Sequence, residues 1–539
     1  MVYKNKFKRA KQLRPATNHI EDIPDRALKD SIDANQHELE SILSKCADLK
    51  MRKIKIFGAA SCLLAYFEEM VDGKHLDNAL LRTLMVPRPI ESVSAAQIAE
   101  TLQEEFVSIA ATKVIETLQE AVLHILKGDT LLFLEGSAQS LAVSIKNPKD
   151  RGLEEPNTES LIRGPRVGFI ENPQTNMSLI RQRIRSPLLK MEKFTVGSMT
   201  KTEVIISYLE KTAPEAIVRE VKDRISKIEM ESVLESGYIE EMIRDARYSP
   251  FPIMQMTERP DSVAASLIEG KVAIMIQGTP MVLIVPMTFW SAFQTVEDFY
   301  TNYIFSSVLR WLRYLFAFIA LVLPAFYIAV STYHQEMIPT SLALSIASSR
   351  ELVPFPTWME MFIMEITFEA LREAGIRLPR PVGQTVSIVG ALVIGEAAVQ
   401  AGIISAPIVI IVSMTGIASF LIPNTNMSLT FRLLRFPMMF FSGMLGLYGL
   451  GASLIAMLIH MGNLRSFGVP YLTPVAPFDP SGLRDVLVRA PWWTMRARPN
   501  YNLGSNALNE SKTNGSGAVS ESDNAGGMSA KPEQGDIMK

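Results

Sequence analysis

The sequence predicts an α/β soluble part of two subdomains followed by an α-helical, multi-span membrane domain of four to five segments. Three observations carry that prediction. Of 539 residues, 48% are hydrophobic, a share that leans towards membrane proteins. Charge is unevenly divided: charged residues are dense and apolar runs short as far as Asp298, whereas long uncharged stretches dominate residues 314–464. Within the first part, short β-rich runs bounded by turn residues alternate with helical apolar spacing.

Residues 1–40 read as a flexible basic arm. Its start, "MVYKNKFKRAKQLRP", has a basic cluster with no apolar stretch behind it, so no signal peptide is expected. The cluster is either solvated or set against acidic lipid headgroups. Residues 41–150 read as the first subdomain. "MRKIKIFGAASCLLAYFEEMVDG" suggests a strand running into a short helix, residues 95–126 have helical spacing, and "GDTLLFLEGSAQSLAVSIK" is a hairpin signal around Gly136.

Residues 151–300 combine a Pro-, Gly- and Asn-rich linker, "NPKDRGLEEPNTESLIRGPRVGFIENPQTN", with the second subdomain. Strands are expected in "LLKMEKFTVGSMTKTEVIISYLEK", and helices over 214–228 and "GYIEEMIRD". Hydropathy alone would make 272–289 a membrane helix. Gln277, Gly278, Thr279 and Pro280 divide it into two runs of about five to six residues, so a buried β-hairpin is expected instead.

Residues 310–465 read as the membrane domain. The uncharged run 314–333 has the length of about 20 residues that a hydrocarbon core of about 30 Å requires. Arg310 and Arg313 flank its start, which places the soluble half in the cytoplasm. Further candidate spans are 382–401, 403–422 and 437–461. Arg465, Arg484, Arg489, Arg496 and Arg498 follow the last of them and favour a cytoplasmic C-terminal segment over 466–501. Residues 502–539, rich in Gly, Ser and Asn, read as a disordered tail.

Little in the chain suggests catalysis. A net charge of −2 gives no reason to expect nucleic acid. Cys46 and Cys62 make no disulfide framework and suit a reducing compartment. The six histidines are scattered without metal-ligand spacing, and neither a P-loop nor a nucleophile elbow occurs. No enzyme activity, cofactor or metal is expected. "GLYGLG" (446–451) lies in an apolar segment without a preceding strand. At about 100° per residue, Ser442, Gly446, Gly449, Ser453 and Ala456 form a small-residue stripe suited to helix packing.

The most unusual segment is "PFPTWMEMFIMEITFEALREAGIRLP", residues 354–379, an apolar stretch with four glutamates. Relative to Glu365, Glu369 lies about 40° and Glu373 about 80° around a helix, with Phe362 between them and Glu360 about 140° away. Three carboxylates therefore share a face. In an oligomer they would form rings that favour cations, with Phe362, Glu365, Glu369 and Glu373 lining a pore. The same helix fits an interfacial location with its glutamates in headgroup water. It also fits ion pairing from helix to helix, and Arg372, three residues from Glu369 on the same helix, would partly neutralise the stripe. Glu396, in "VIGEAAVQAG", is a further intramembrane ionisable group that lines an ion path or sits at the solvated boundary.

These segments, with "ESLIRGPRVGFIENPQTNMSLIRQRI", "ERPDSVAASLIEGKVAIMIQGTPMVLIVP", "VGQTVSIVGALVIGEAAVQAGIISAP", "TGIASFLIPN" and "RLLRFPMMFFSGMLGLYGLGA", occur in an order that resembles the A subunits of bacterial spore germinant receptors, the GerA type. The resemblance spans about residues 48–498. It implies a multi-pass protein of the spore inner membrane with two cytoplasmic α/β subdomains. It also implies a homo-oligomer in contact with membrane lipids, working with a permease-like B subunit that recognises nutrient and a lipoprotein C subunit. The A subunit would be the ion-conducting element whose opening starts germination. A signalling scaffold, an accessory pore component and a solute transporter are the competing classes; no internal repeat supports the last.

Overall fold

The computed structural model describes residues 20, 23–57, 60–85, 112–145, 155–156, 158–159, 161–379, 393 and 395–494. Residues 1–19, 21 and 22 of the basic arm, residues 95–111 of the expected helical stretch, most of the candidate span 382–401 and the C-terminal tail lie outside them. The rest of the expected arm instead joins the first subdomain, where Ile32–Ile42 form a helix and Ile23, Leu28, Ile32 and Leu39 are buried in its core.

The soluble part contains two five-stranded antiparallel sheets. Strands β1 (Leu49–Ile56), β2 (Ala60–Phe67), β3 (Thr112–Ile115), β4 (Thr130–Leu134) and β5 (Ser140–Val143) are ordered β1-β2-β4-β5-β3. In the second sheet, β6 (Leu189–Val196), β7 (Thr202–Leu209), β8 (Gln255–Thr257), β9 (Val272–Ile276) and β10 (Val282–Val285) are ordered β6-β7-β9-β10-β8. The two orders are the same pattern of hairpin, second hairpin and a lone strand at the edge, so the soluble part repeats one topology twice. In each sheet a helix enters just before the last hairpin: Leu118–Leu126 before β4, and Pro260–Ile268 before β9.

Burial explains both hits and misses among the expected elements. Both hairpins signalled by turn residues form, β4 with β5 and β9 with β10. Helices Glu215–Ser226 and Ser236–Ile243 also form as expected. The segment from Leu49 to Phe67 does not run from strand to helix; it is a hairpin, with Leu49 opposite Phe67 and Ile56 opposite Ala60. Phe57, at φ 53°, takes the left-handed conformation that starts the turn. Cys62 to Phe67 are buried without alternation, which leaves no period-two signal to separate strand from helix. Likewise Thr112–Ile115, within the expected helical stretch, is an edge strand paired to β5.

A buried ion pair joins the subdomains. Arg181, on helix Pro173–Arg183, donates from Nε and Nη2 to the Asp48 carboxylate at 2.6 and 3.0 Å, and its guanidinium lies over the Phe67 ring at 4.1 Å. Beside it the backbone of Lys45 and Ala47 exchanges hydrogen bonds with Met191 of β6.

The linker is tied down by Glu159, whose Oε2 accepts from Thr257 Oγ1 at 2.6 Å. Burial pushes this carboxyl up to about 7, against the opposing pull of the Thr257 hydrogen bond and Arg259. A folded value above the unfolded one means the native state holds the extra proton. Its stabilising contribution is therefore complete below the ordinary carboxylate range and is lost as pH rises towards 7. Thermal unfolding of the purified chain from pH 5 to 8 should show this decline, and Glu159→Gln should flatten it by on the order of 2 kcal/mol. An unchanged profile in the variant would assign the decline to other groups.

The helical part begins with Tyr303–Tyr333, the one helix among the described residues that is long and apolar enough to cross a membrane by length and composition. Ala406–Phe420 and Leu447–Asn463 are apolar but shorter. Arg310 and Arg313 do not flank this helix as free charges. They lie within it and converge on buried Asp298 at 3.4 and 2.8 Å. Arg310 also donates to the Asp485 carbonyl, and Tyr314 Oη to the Val486 carbonyl at 2.8 Å. The C-terminal segment is thus fastened to the same end of the helix as the soluble part.

The candidate span 437–461 is not one helix. Residues Thr425–Leu445 and Leu447–Asn463 form a helical hairpin that reverses at Gly446, φ 61°. A side chain there would be strained, and its Cβ would sit 3.0 Å from the Tyr333 side chain. The small-residue stripe is consequently split. Ser442 is on one helix, Gly446 is the turn, and Gly449 and Ser453 are on the other. A Cβ on Gly449 would lie 2.0 Å from the Phe441 carbonyl oxygen, so the small residues close the hairpin on itself. Thr430 Oγ1 donates to the Pro250 carbonyl at 2.6 Å, and His460 Nε2 lies 2.9 Å from Ser249 Oγ. Both open ends of the hairpin therefore rest on the second subdomain.

Candidate functional site

The glutamate-rich segment folds as helix Thr357–Arg377. Pro354 and Pro356 precede it, and Pro356, whose ring cannot continue a helix backwards, takes the N-cap position. The helix runs antiparallel to Thr425–Leu445: Trp358 packs at Gly443 near one end, and Glu369 meets Arg432 towards the other.

Its polarity is inverted relative to a surface helix. Glu360 and Glu365 are fully buried while Ile366 and Ile376 are 57% and 74% exposed. An ionised carboxylate turned inward survives only with partners, and each has them. Glu365 Oε2 accepts from Arg435 Nη1 at 2.6 Å, and Thr415 Oγ1 lies 3.3 Å from Oε1. One turn on, Glu369 Oε2 accepts from Arg432 Nη1 at 2.7 Å, and Arg372 Nη1 stands 3.7 Å from Oε1. Arg372 also donates to Ser419 Oγ at 2.9 Å and covers the Phe420 ring at 4.5 Å. The helices approach closely enough for this because Gly416 offers no Cβ; one would lie 2.5 Å from the Phe368 ring.

Of the sequence-derived site residues, Glu365 and Glu369 are brought together in one ion-paired cluster. Within the protomer they point at neighbouring helices, which answers to the helix-to-helix pairing reading. Phe362, on the same helix, meets Trp358 edge to face at 6.1 Å and Phe436 at a tilt at 5.8 Å. Glu373 is exposed and paired with Arg377, from which it accepts at 2.7 Å. Glu396 is exposed and accepts from Gln400 Nε2 at 3.0 Å.

Sequence reasoning set Glu360 apart from the stripe and missed Arg432 and Arg435. Glu360 accepts from the Ser405 amide at 3.0 Å, at the start of helix Ala406–Phe420, and lies 3.3 Å from Arg350. Arg432 and Arg435 carry a usable signal: two arginines three apart in an apolar helix match carboxylates four apart on an antiparallel neighbour.

The family described as Bacillus/Clostridium GerA spore germination protein matches residues 37–501. Among individual proteins, the chain is 45% identical to the uncharacterized membrane protein YfkQ of Bacillus subtilis, over 93% of this chain and 96% of that one. It is 44% identical to spore germination protein KA of the same organism, over 87% and 86% of the two chains, and 40% identical to GerLA of Bacillus cereus, over 86% and 94%. The crystal structure of the N-terminal domain of the A subunit of the Bacillus megaterium germinant receptor GerK3 matches at 29% identity and a TM-score of 0.40. That match covers 49% of this chain and 98% of the domain.

Proposed function

The chain belongs to the GerA family of spore germination proteins, and from that premise we propose that it is the A-type subunit of a nutrient-germinant receptor in the spore inner membrane. In this reading the helices of 303–463 cross the bilayer several times, with the soluble part and the C-terminal segment both cytoplasmic. Several copies assemble around a cation path, which opens when a permease-like B subunit senses nutrient alongside a lipoprotein C subunit.

The observation that carries the membrane reading is the inverted polarity of the helical part. Glu360, Glu365 and Arg435 face inward, while Ile366, Ile410, Ile417, Leu433 and Phe440 are exposed, as a lipid-facing or copy-facing surface requires. Because Glu365 and Glu369 are engaged inside the protomer, their proposed part is to hold the helix in place. Of the sequence-derived site carboxylates, those left for a path between copies are Glu373 and Glu396.

Ion flux through vesicles containing the complete receptor tests this. Glu373→Gln or Glu396→Gln should lower cation flux or selectivity several-fold with assembly intact. Flux unchanged in magnitude and selectivity in the double variant would end the cation-path proposal and favour a scaffold.

A further inference from the structure

Around the Glu365 and Glu369 carboxylates stand three guanidiniums, those of Arg372, Arg432 and Arg435. Three cations against two anions leave a surplus of one positive charge among packed helices. Among the described residues no third carboxylate pairs with these guanidiniums, and no acidic residue occurs between Glu373 and Glu396 or between Glu396 and Asp479. The donors are also in excess. Nε of all three arginines and Nη2 of Arg435 are buried without an acceptor, and Arg435 is only 2% exposed. Arginine keeps its proton at cellular pH, so the enclosed Nε and Nη2 of Arg435 call for an acceptor from outside the chain.

We propose that this cluster binds a compact monovalent anion of the halide type, held on the free edge of Arg435 with Arg372 and Arg432 beside it. Burial of the Arg435 edge, on a residue 2% exposed, favours a small anion over a lipid headgroup, and that edge presents two N–H donors to whatever anion enters. The site stands on the cluster's geometry and does not depend on the receptor reading. It would neutralise the surplus charge and fix helix Thr357–Arg377 against Thr425–Leu445.

The test is thermal unfolding of the full chain in phospholipid-free detergent, titrated with chloride against gluconate at constant ionic strength. Wild type should show a saturable chloride-specific rise in Tm of about 2–4 °C. Arg372→Gln removes the surplus charge but keeps the Glu365–Arg435 and Glu369–Arg432 pairs, so it should lose that response. Arg377→Gln, at an exposed arginine of the same helix, should keep it. Equal responses to chloride and gluconate in wild type would overturn the site, as would an undiminished chloride response in Arg372→Gln. Stabilisation by added anionic phospholipid but not by chloride would overturn the compact-anion assignment. Should Arg372→Gln not fold, chloride NMR on wild type decides: line broadening beyond the detergent blank supports the site, and its absence refutes it.

Discussion

Arg181→Ala should destabilise the soluble part by about 3–5 kcal/mol, because it strands the buried Asp48 carboxylate without its partner. The pair is fully enclosed, with side-chain exposures of 0% and 4%, so water cannot take over the lost hydrogen bonds. Its position raises the stakes. Asp48 precedes β1 and Arg181 ends the helix leading to β6, so the pair fastens one five-stranded unit to the other. The loss should therefore appear as decoupling as well as lower stability: the two five-stranded units should unfold at more widely separated denaturant concentrations than in wild type. The control replaces both residues, Arg181→Met with Asp48→Leu, which removes the charge and the need for it together and should recover most of the loss. Denaturant unfolding of the purified chain measures all of these. A single variant within about 0.5 kcal/mol of wild type, the range of ordinary surface changes, would show that the pair does not hold the subdomains.

Legibility followed the range of the interactions involved. The two later hairpins could be read because Gly136 and the Gln277 to Pro280 run are local turn chemistry that acts within a few residues. The first hairpin could not, since β2 is buried without a break from Cys62 to Phe67 and such an apolar run suits a short helix equally well. The shared strand order of the two sheets was invisible for another reason: it is set by pairings such as β2 with β4, whose partners lie far apart in the chain. The same limit governed the site. Helical spacing alone put Glu365 and Glu369 on one face, but which way that face turned depended on Arg432 and Arg435, 63 and 70 residues away. The expected span 437–461 began beyond Arg432 and Arg435. Pairing with glutamates is what makes that charge tolerable, and the helix starts at Thr425 instead, capped by Asn424.

Breaking the central pair of that site should be as costly as breaking Arg181 and Asp48. Glu365→Ala leaves Arg435 Nη1 buried and unpaired in addition to the Nε and Nη2 that already lack an acceptor, and a loss of about 3–5 kcal/mol or failure to accumulate in the membrane is expected. Glu365→Gln keeps an acceptor but not the charge, and should retain part of the stability. The reciprocal variant Arg435→Met exposes the difference between a structural and a conducting role. If Glu365 served a pore as a charged ring, Glu365→Gln with Arg435→Met would lack that charge and conduct poorly even when folded. If the pair positions the helix, the double variant replaces a buried ion pair by neutral groups of similar size, and should fold and conduct more nearly like wild type than either single change. Measuring thermal stability and flux on the same four proteins closes the cycle. Strong coupling in stability with flux restored in the double variant assigns Glu365 to positioning, whereas flux lost in every protein lacking the carboxylate returns it to the ion path.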